Sequence, residues 1–351
     1  MILRQLFDQT SSTYSYLLGD DSTREAVLID SVFERHGRDL ALIRELDLKL
    51  VAVLDTHCHA DHVTGAWLMK QALGNVKIGA AAVYQAQNVD LPLGPGVVVR
   101  FGGQSLEVRA TPGHTAGCLS FVLGQQQAAF TGDALLVRGA GRTDFQQGDP
   151  SLLFRSIRDQ LFTLPDACLV YPAHDYEGRE QSTIGEERRH NPRIGGGARE
   201  EDFVGYMRNL GLPHPKQMAL AVPANLRAGR PEQEPDQRSE DWGPVIATYA
   251  GVPEIGAEWL ADNRAKVQLV DVRSAVEFDG ELGHLKGSRL VPLDQLRERA
   301  AELGQDTPVV VICQTGKRSA LGALILHKAG FARVANLAGG MLRWRELGLP
   351  S

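Results

Sequence analysis

The chain is poor in cysteine, in long apolar runs and in excess positive charge. Its four cysteines, at 58, 118, 168 and 313 of 351 residues, are too few and too scattered for a disulfide framework, so a reducing, cytoplasmic setting is expected. No apolar run approaches the roughly 18 residues of a membrane span. The opening Met1–Asp8 lacks the apolar core of a signal peptide and reads as a strand. Lys and Arg total 37 against 43 Asp and Glu, a net charge of −6 with no basic stripe. Neither a nucleic-acid partner nor a membrane partner is therefore expected. Internal repeats are absent, and Gly195-Gly196-Gly197 lacks the strand and helix that would make it a phosphate cradle. What remains is an ordinary globular composition, long enough for two or three domains with full cores.

The densest signal is Thr56-His57-Cys58-His59-Ala60-Asp61-His62, directly after the apolar run Leu50–Leu54. It reads as a strand ending in a ligand-rich loop. His57 and His59 are two apart, so an extended backbone points them the same way. Imidazole and carboxylate are ligands that Zn, Fe and Mn share. Three later segments repeat the pattern of apolar strand, small-residue turn and one ligand-type residue. Ser105–Ala110 leads to His114, Ala128–Phe130 to Asp133, and Ala167–Tyr171 to His174. Four such strand ends are expected to converge on one metal site. With Asp133 bridging, His57, His59 and His114 together with Asp61, His62 and His174 suffice for two ions and a bridging nucleophilic water.

The order His57-Cys58-His59-Ala60-Asp61-His62, His114, Asp133, His174 resembles the metallo-β-lactamase superfamily. Within it, Gly141-Arg142-Thr143-Asp144-Phe145-Gln146, Thr131–Gly139, Tyr171–Tyr176 and Val222–Arg227 resemble the persulfide dioxygenases across most of residues 1–228. The resemblance implies one Fe(II) per chain on His57, His114 and Asp133, with positions open for a sulfur anion and O₂. His59, Asp61, His62 and His174 would then orient ligands and bound water, or form a second metal site. The implied reaction oxidises glutathione persulfide to sulfite and glutathione. Tyr176 stands where glutathione-using relatives place a tyrosine, and Arg142 where glyoxalase II carries a lysine; both are candidates for binding glutathione. An ion pair with Asp144 is the alternative role for Arg142, and Asn225 and Arg227 are weaker candidates. The rival activity is a two-metal thioester hydrolase like glyoxalase II.

Charge is dense, prolines recur and apolar residues nearly vanish over 228–246, so a linker is expected at 229–250, with Trp242 a docking point. Beyond it, the strand Val309–Ile312 runs into Cys313-Gln314-Thr315-Gly316-Lys317-Arg318, and Ser319–Ala329 reads as a helix. A cysteine at a strand-to-helix turn sits under free N–H groups and the positive end of the helix dipole. Lys317 and Arg318 add charge, so thiolate and an anionic persulfide are favoured there. A cysteine phosphatase loop needs five residues between Cys and Arg, whereas four separate Cys313 from Arg318. With Asp271-Val272-Arg273, Gly283-His284-Leu285-Lys286-Gly287 and Gly339-Gly340-Met341, the loop resembles a rhodanese sulfurtransferase across 251–351.

The expected fold is α/β: a metallo-β-lactamase αββα sandwich over 1–228, then a rhodanese-like doubly wound parallel-sheet domain. Strands are expected at Leu3–Phe7, Tyr14–Leu18 and Ala26–Asp30, and paired strands over 76–133. Helices are expected near 34–47, 62–73 and 151–162. In this reading the second domain moves sulfane sulfur between thiosulfate or sulfite and glutathione through Cys313; the alternative is a non-catalytic sulfur-sensing module. A homodimer is compatible with the reading.

Overall fold

The computed structural model describes residues 1–232 and 242–350. The chain divides into two compact units, Met1–His36 with Leu46–Gln233 and Gly37–Glu45 with Glu234–Ser351.

In the first unit, β1 (Ile2–Asp8), β2 (Thr13–Gly19), β3 (Glu25–Ile29), β4 (Lys49–Leu54), β5 (Lys77–Ala81) and β6 (Leu91–Leu93) form one sheet in that order. Pairing is antiparallel from β1 to β3 and parallel from β3 to β6. Next come β7 (Val98–Phe101), β8 (Gln104–Ala110), β9 (Leu119–Leu123), β10 (Ala128–Gly132), a small ribbon of β11 (Leu135–Leu136) and β12 (Gly139–Ala140), then β13 (Leu169–Pro172) and β14 (Ser182–Thr183). Six of these make the second sheet, in the order β14-β13-β10-β9-β8-β7.

Side-chain alternation assigns the faces. Ala128 and Phe130 of β10, and Leu119, Phe121 and Leu123 of β9, join Tyr16, Leu18, Val27, Ile29 and Leu54 of the first sheet in one core. The intervening Val122 and Ala129 point the other way, onto Leu153, Ile157, Phe203 and Met207 of the covering helices. The layers are therefore helix, sheet, sheet, helix, as expected, with the helix Ala66–Leu73 against β4 and β5.

Three helices differ from the sequence reading. The one expected near 62 begins at Ala66, because the preceding backbone is spent on tertiary bonds: Thr64 N–H donates to Asn225 Oδ1 at 2.8 Å and Gly65 N–H to Ser31 O at 3.0 Å. The one near 34–47 is a 3₁₀ turn, Phe33–Arg35, followed by His36–Glu45. The one near 151–162 is Pro150–Ser156, capped by Asp149, running into a π-helical turn at Ile157–Leu161.

The second unit holds β15 (Ile246–Ala247), β16 (Pro253–Ile255), β17 (Gln268–Asp271), β18 (Arg289–Leu290), β19 (Val309–Ile312) and β20 (Val334–Leu337), in the order β15-β16-β20-β19-β17-β18. All pairs are parallel except β15–β16. Val309 and Val311 face one core with Leu326, while Val310 and Ile312 face the other with Trp344. Burial on both faces is why this strand is a continuous apolar run rather than an alternating one. Of the linker expected at 229–250, residues 233–241 lie outside the described residues. The linker character has ended by Trp242, which is buried among Ile255, Leu260 and Trp344 and meets the Trp259 ring edge-on at 6.4 Å, and Ile246–Ala247 forms an edge strand.

At the end of β17, Asp271 and Arg273 are both fully buried. Arg273 Nη2 is 2.7 Å from Asp271 Oδ2, and the guanidinium also donates to the carbonyls of Glu277 and Gly283. Asp271→Ala leaves that guanidinium buried without its counter-charge, at a cost of about 3–5 kcal/mol. The second unit of this variant should unfold at markedly lower denaturant, followed by tryptophan fluorescence; the double variant D271L/R273M should recover most of the loss.

Candidate metal centre and cysteine loop

The ligand loop follows β4 and is pinned from two sides. On one, Asp30, at the end of β3 with φ of 52°, accepts from Thr56 N–H at 2.7 Å, Thr56 Oγ1 at 2.8 Å and His59 Nε2 at 3.1 Å. On the other, the Asn225 amide donates to the carbonyls of His59 and His62, both at 2.9 Å. Asn225, a weaker candidate from sequence for binding glutathione, clamps the loop backbone. Asp30 was not singled out from sequence, although it shows the same signal as Asp133: a carboxylate just after an apolar strand. Thr13, Thr56 and the buried Asp55, which accepts from Thr64 Oγ1 at 2.9 Å, were missed for want of any distinguishing pattern.

His57, His114 and Asp133 offer three ligand atoms within 4.8 Å of one another. His57 Nδ1 lies 3.0 Å from Thr56 Oγ1, and His114 Nδ1 donates to Arg142 O at 2.6 Å, which leaves Nε2 of both rings for the centre. Gly141 makes this approach feasible: a Cβ there would lie 2.1 Å from Asp133 O and 3.0 Å from the His114 ring. Burial lowers the pKa of both His57 and His114, favouring neutral imidazole. Burial alone would raise Asp133, but the charge of His174 and its hydrogen bond hold the carboxyl far below the usual range. Two neutral imidazoles and a carboxylate are the deprotonated donor set that a divalent metal requires, so these residues fit the implied ion.

His174 is held at both ring nitrogens. Nδ1 donates to Asp133 Oδ1 at 2.7 Å, and Nε2 is 3.1 Å from Asp61 Oδ2. That same Asp61 oxygen accepts from Thr13 Oγ1 at 2.9 Å and His62 Nδ1 at 2.8 Å. Burial opposes charge on His174, but the two carboxylates raise its pKa well above the ordinary value. Burial likewise opposes His59 protonation, yet Asp30, Asp61 and Asp55 carry it up to about 9. His59, Asp61 and His62 form a second possible ligand group, and His59 Nδ1 and His62 Nε2 are buried without a hydrogen-bond partner.

Arg142 forms the ion pair weighed as its alternative role, with two 2.6 Å bonds to Asp144; it also donates to the carbonyls of Leu212 and Pro213. Tyr176 is 75% exposed and stacks parallel to the His174 ring at 6.2 Å. Arg227 pairs with Glu232 at 3.2 Å. Cys58 is buried beside Val222 O, and burial pushes its thiol up to about 12.

In the second unit Cys313 is fully buried at the end of β19, its Sγ 3.2 Å from Gly316 N and 3.1 Å from Ser319 Oγ. Gly340 closes the loop from the side; its φ is 59°, and a Cβ there would meet Cys313 O at 2.4 Å. Lys317 is exposed. Arg318 is held by Glu277 at 2.8 and 2.5 Å, so its charge is shared with a carboxylate. The helix begins at Lys317, two residues before the expected start.

Residues 9–174 match the metallo-beta-lactamase superfamily and residues 256–347 the rhodanese-like domain. The chain is 52% identical over 229 residues to the mouse persulfide dioxygenase ETHE1, covering 65% of this chain and 89% of that protein. The chain belongs to the ETHE1-like branch of the metallo-beta-lactamase superfamily. The crystal structure of ETHE1 from Myxococcus xanthus superposes on 66% of this chain and 100% of its own at a TM-score of 0.63 and 50% identity. A hydroxyacylglutathione hydrolase, GloC, from Haemophilus influenzae is 35% identical over 192 residues, 49% of this chain and 88% of that protein. The family match accounts for the metal-type cluster, and the rhodanese-like match for the Cys313 loop. No described helix is long and apolar enough to cross a membrane.

Two substitutions separate ligand from support. Asp30→Ala removes the carboxylate behind Thr56 and His59 and should weaken metal binding by about 10–100-fold without changing the number of ions bound. Gly141→Ala should abolish binding by displacing His114 or Asp133. Metal titration of the apoprotein checks both.

Proposed function

We propose that the first unit oxidises glutathione persulfide: persulfide, O₂ and water give glutathione, sulfite and two protons. His57, His114 and Asp133 would hold a single Fe(II), which supplies the oxygen chemistry when bound. The observation that carries the single-metal reading is the commitment of His174 to Asp133 and Asp61, which leaves neither ring nitrogen a free lone pair. The surrounding residues serve as positioning groups. Asp30 and Asn225 hold the loop, Arg142 O fixes the His114 tautomer, and Tyr176, exposed over His174, is proposed to meet glutathione. The Arg142 side chain, occupied by Asp144, would meet a glutathione carboxylate only by sharing that pair. The domain boundaries proposed are 1–228 and 251–351.

For the second unit we propose sulfane-sulfur transfer between thiosulfate or sulfite and glutathione through a Cys313 persulfide, with Lys317 and Arg318 attracting the anion. The rival reading is a two-metal thioester hydrolase with a sulfur-sensing second unit. It is favoured by the unpartnered nitrogens of His59 and His62, which a second ion would satisfy.

Oxygen consumption with glutathione persulfide, with metal counted per chain, decides between them. The expected result is O₂-dependent sulfite formation with one iron per chain. Two ions and undiminished thioester cleavage without oxygen would overturn the proposal. His114→Ala should lose both iron and O₂ uptake, whereas His62→Ala should keep one iron with reduced turnover. Cys313→Ser should abolish thiocyanate formation from thiosulfate and cyanide and leave O₂ uptake unchanged.

A further inference from the structure

Behind Cys313 lies a polar chain that the proposed sulfur transfer does not by itself require. The Ser319 hydroxyl is in donor geometry toward two acceptors, Cys313 Sγ at 3.1 Å and Asn336 Oδ1 at 2.5 Å, while Asn336 Nδ2 donates to Glu254 Oε1 at 2.7 Å. Ser319 and Asn336 are fully buried. Strand register produces the alignment: Asn336 of β20 lies opposite Glu254 of β16 on one side and Val311 of β19, two residues before Cys313, on the other.

Counting protons gives the chain a direction. A carboxylate only accepts, so Glu254 turns the NH₂ end of the Asn336 amide toward itself and the carbonyl end toward Ser319. A serine hydroxyl has one proton, and the 2.5 Å contact commits it to the Asn336 carbonyl. The oxygen then presents a lone pair to Sγ. That arrangement suits an S–H donor, or the uncharged inner sulfur of a persulfide, and withholds a hydrogen bond from a bare thiolate.

We infer that Glu254, acting through Asn336, is a positioning residue that turns the Ser319 hydroxyl proton away from Cys313 and so favours its thiol and sulfur-loaded forms over the free thiolate. This rests on the sulfur-transfer reading of Cys313. In that transfer the Cys313 thiolate attacks the outer sulfur of thiosulfate; the new S–S bond forms, the old one breaks, and sulfite leaves with the bonding pair. Once loaded, Sγ is neutral and the anion sits on the outer sulfur, so the resting orientation of Ser319 fits the product of loading. Charged groups on the elements packed around Sγ are Lys317 and Arg318 on the loop helix, Glu277 paired with Arg318, the Asp271–Arg273 pair at β17, Arg343 on the helix after Gly340, and Glu254 itself.

The test is the pH dependence of thiolate ultraviolet absorbance in the full-length protein, with Cys313→Ser as the blank. Burial raises Cys58 and Cys118 to about 12 and Cys168 to about 11, so between neutral pH and about 9 the difference signal reports Cys313. Glu254→Gln frees the Asn336 amide to flip and donate to Ser319, whose proton then turns to Sγ. Its absorbance midpoint should fall by roughly one pH unit, the scale of one hydrogen bond to a charged group, and Glu254→Ala should move the same way. In a Ser319→Ala background the Glu254 substitution should have no effect. A midpoint unmoved in both Glu254 variants, or moved equally without the Ser319 hydroxyl, would overturn the inference. Thiocyanate formation by the unaltered protein tests the sulfur-transfer reading separately: its absence would sink that reading while the absorbance result still stands or falls alone.

Discussion

His174 bridges two carboxylates, and the arrangement of the first unit depends on that bridge. Asp133 at 2.7 Å and Asp61 at 3.1 Å hold the ring from opposite sides. The contact joins the ends of β10 and β13 to the loop after β4. It orients Asp133 toward His57 and His114, and it gathers Asp61, His62 and Thr13 around one oxygen. Buried charge is costly unless it is paired and hydrogen-bonded, so these groups constrain one another. The three-donor group of His57, His114 and Asp133 is what that constraint leaves facing one point.

Both units use the same construction. Strands buried on both faces deliver polar residues at their carboxyl ends, where the sheet stops supplying backbone partners and side chains must take over. In the first unit Asp30 caps the buried N–H of Thr56, and Asn225 caps the carbonyls of His59 and His62. In the second, Gly316 N–H and Ser319 meet the sulfur of Cys313, while Gly340 admits the close approach of the neighbouring loop. Reactive groups are thereby held by backbone and by short side chains, which lose little rotamer freedom when ordered.

Much of the site was legible because its ligands share a local pattern. His114, Asp133 and His174 each follow an apolar strand and a small-residue turn, and the loop His57–His62 concentrates three histidines and a carboxylate. Cys313 was legible from its strand-to-helix loop. The residues that support them were not. Asn225 lies more than 160 positions from the carbonyls it clamps, and Asn336 sits inside a strand that reads as ordinary core. Arg142 illustrates a different limit. Its place in the chain allowed either a substrate carboxylate or an ion pair with Asp144, and only the fold shows the guanidinium on Asp144.

The sequence by itself determined the two-part organisation, the strand ends that carry ligands and the identity of the sulfur-bearing loop, because these depend on spacing along the chain and on periodic burial. Tertiary structure alone decided which histidines pair with carboxylates, which join the three-donor group, and which acceptors meet the Ser319 hydroxyl. Those outcomes turn on hydrogen-bond distances between strands far apart in sequence, where a single proton or lone pair can serve only one partner.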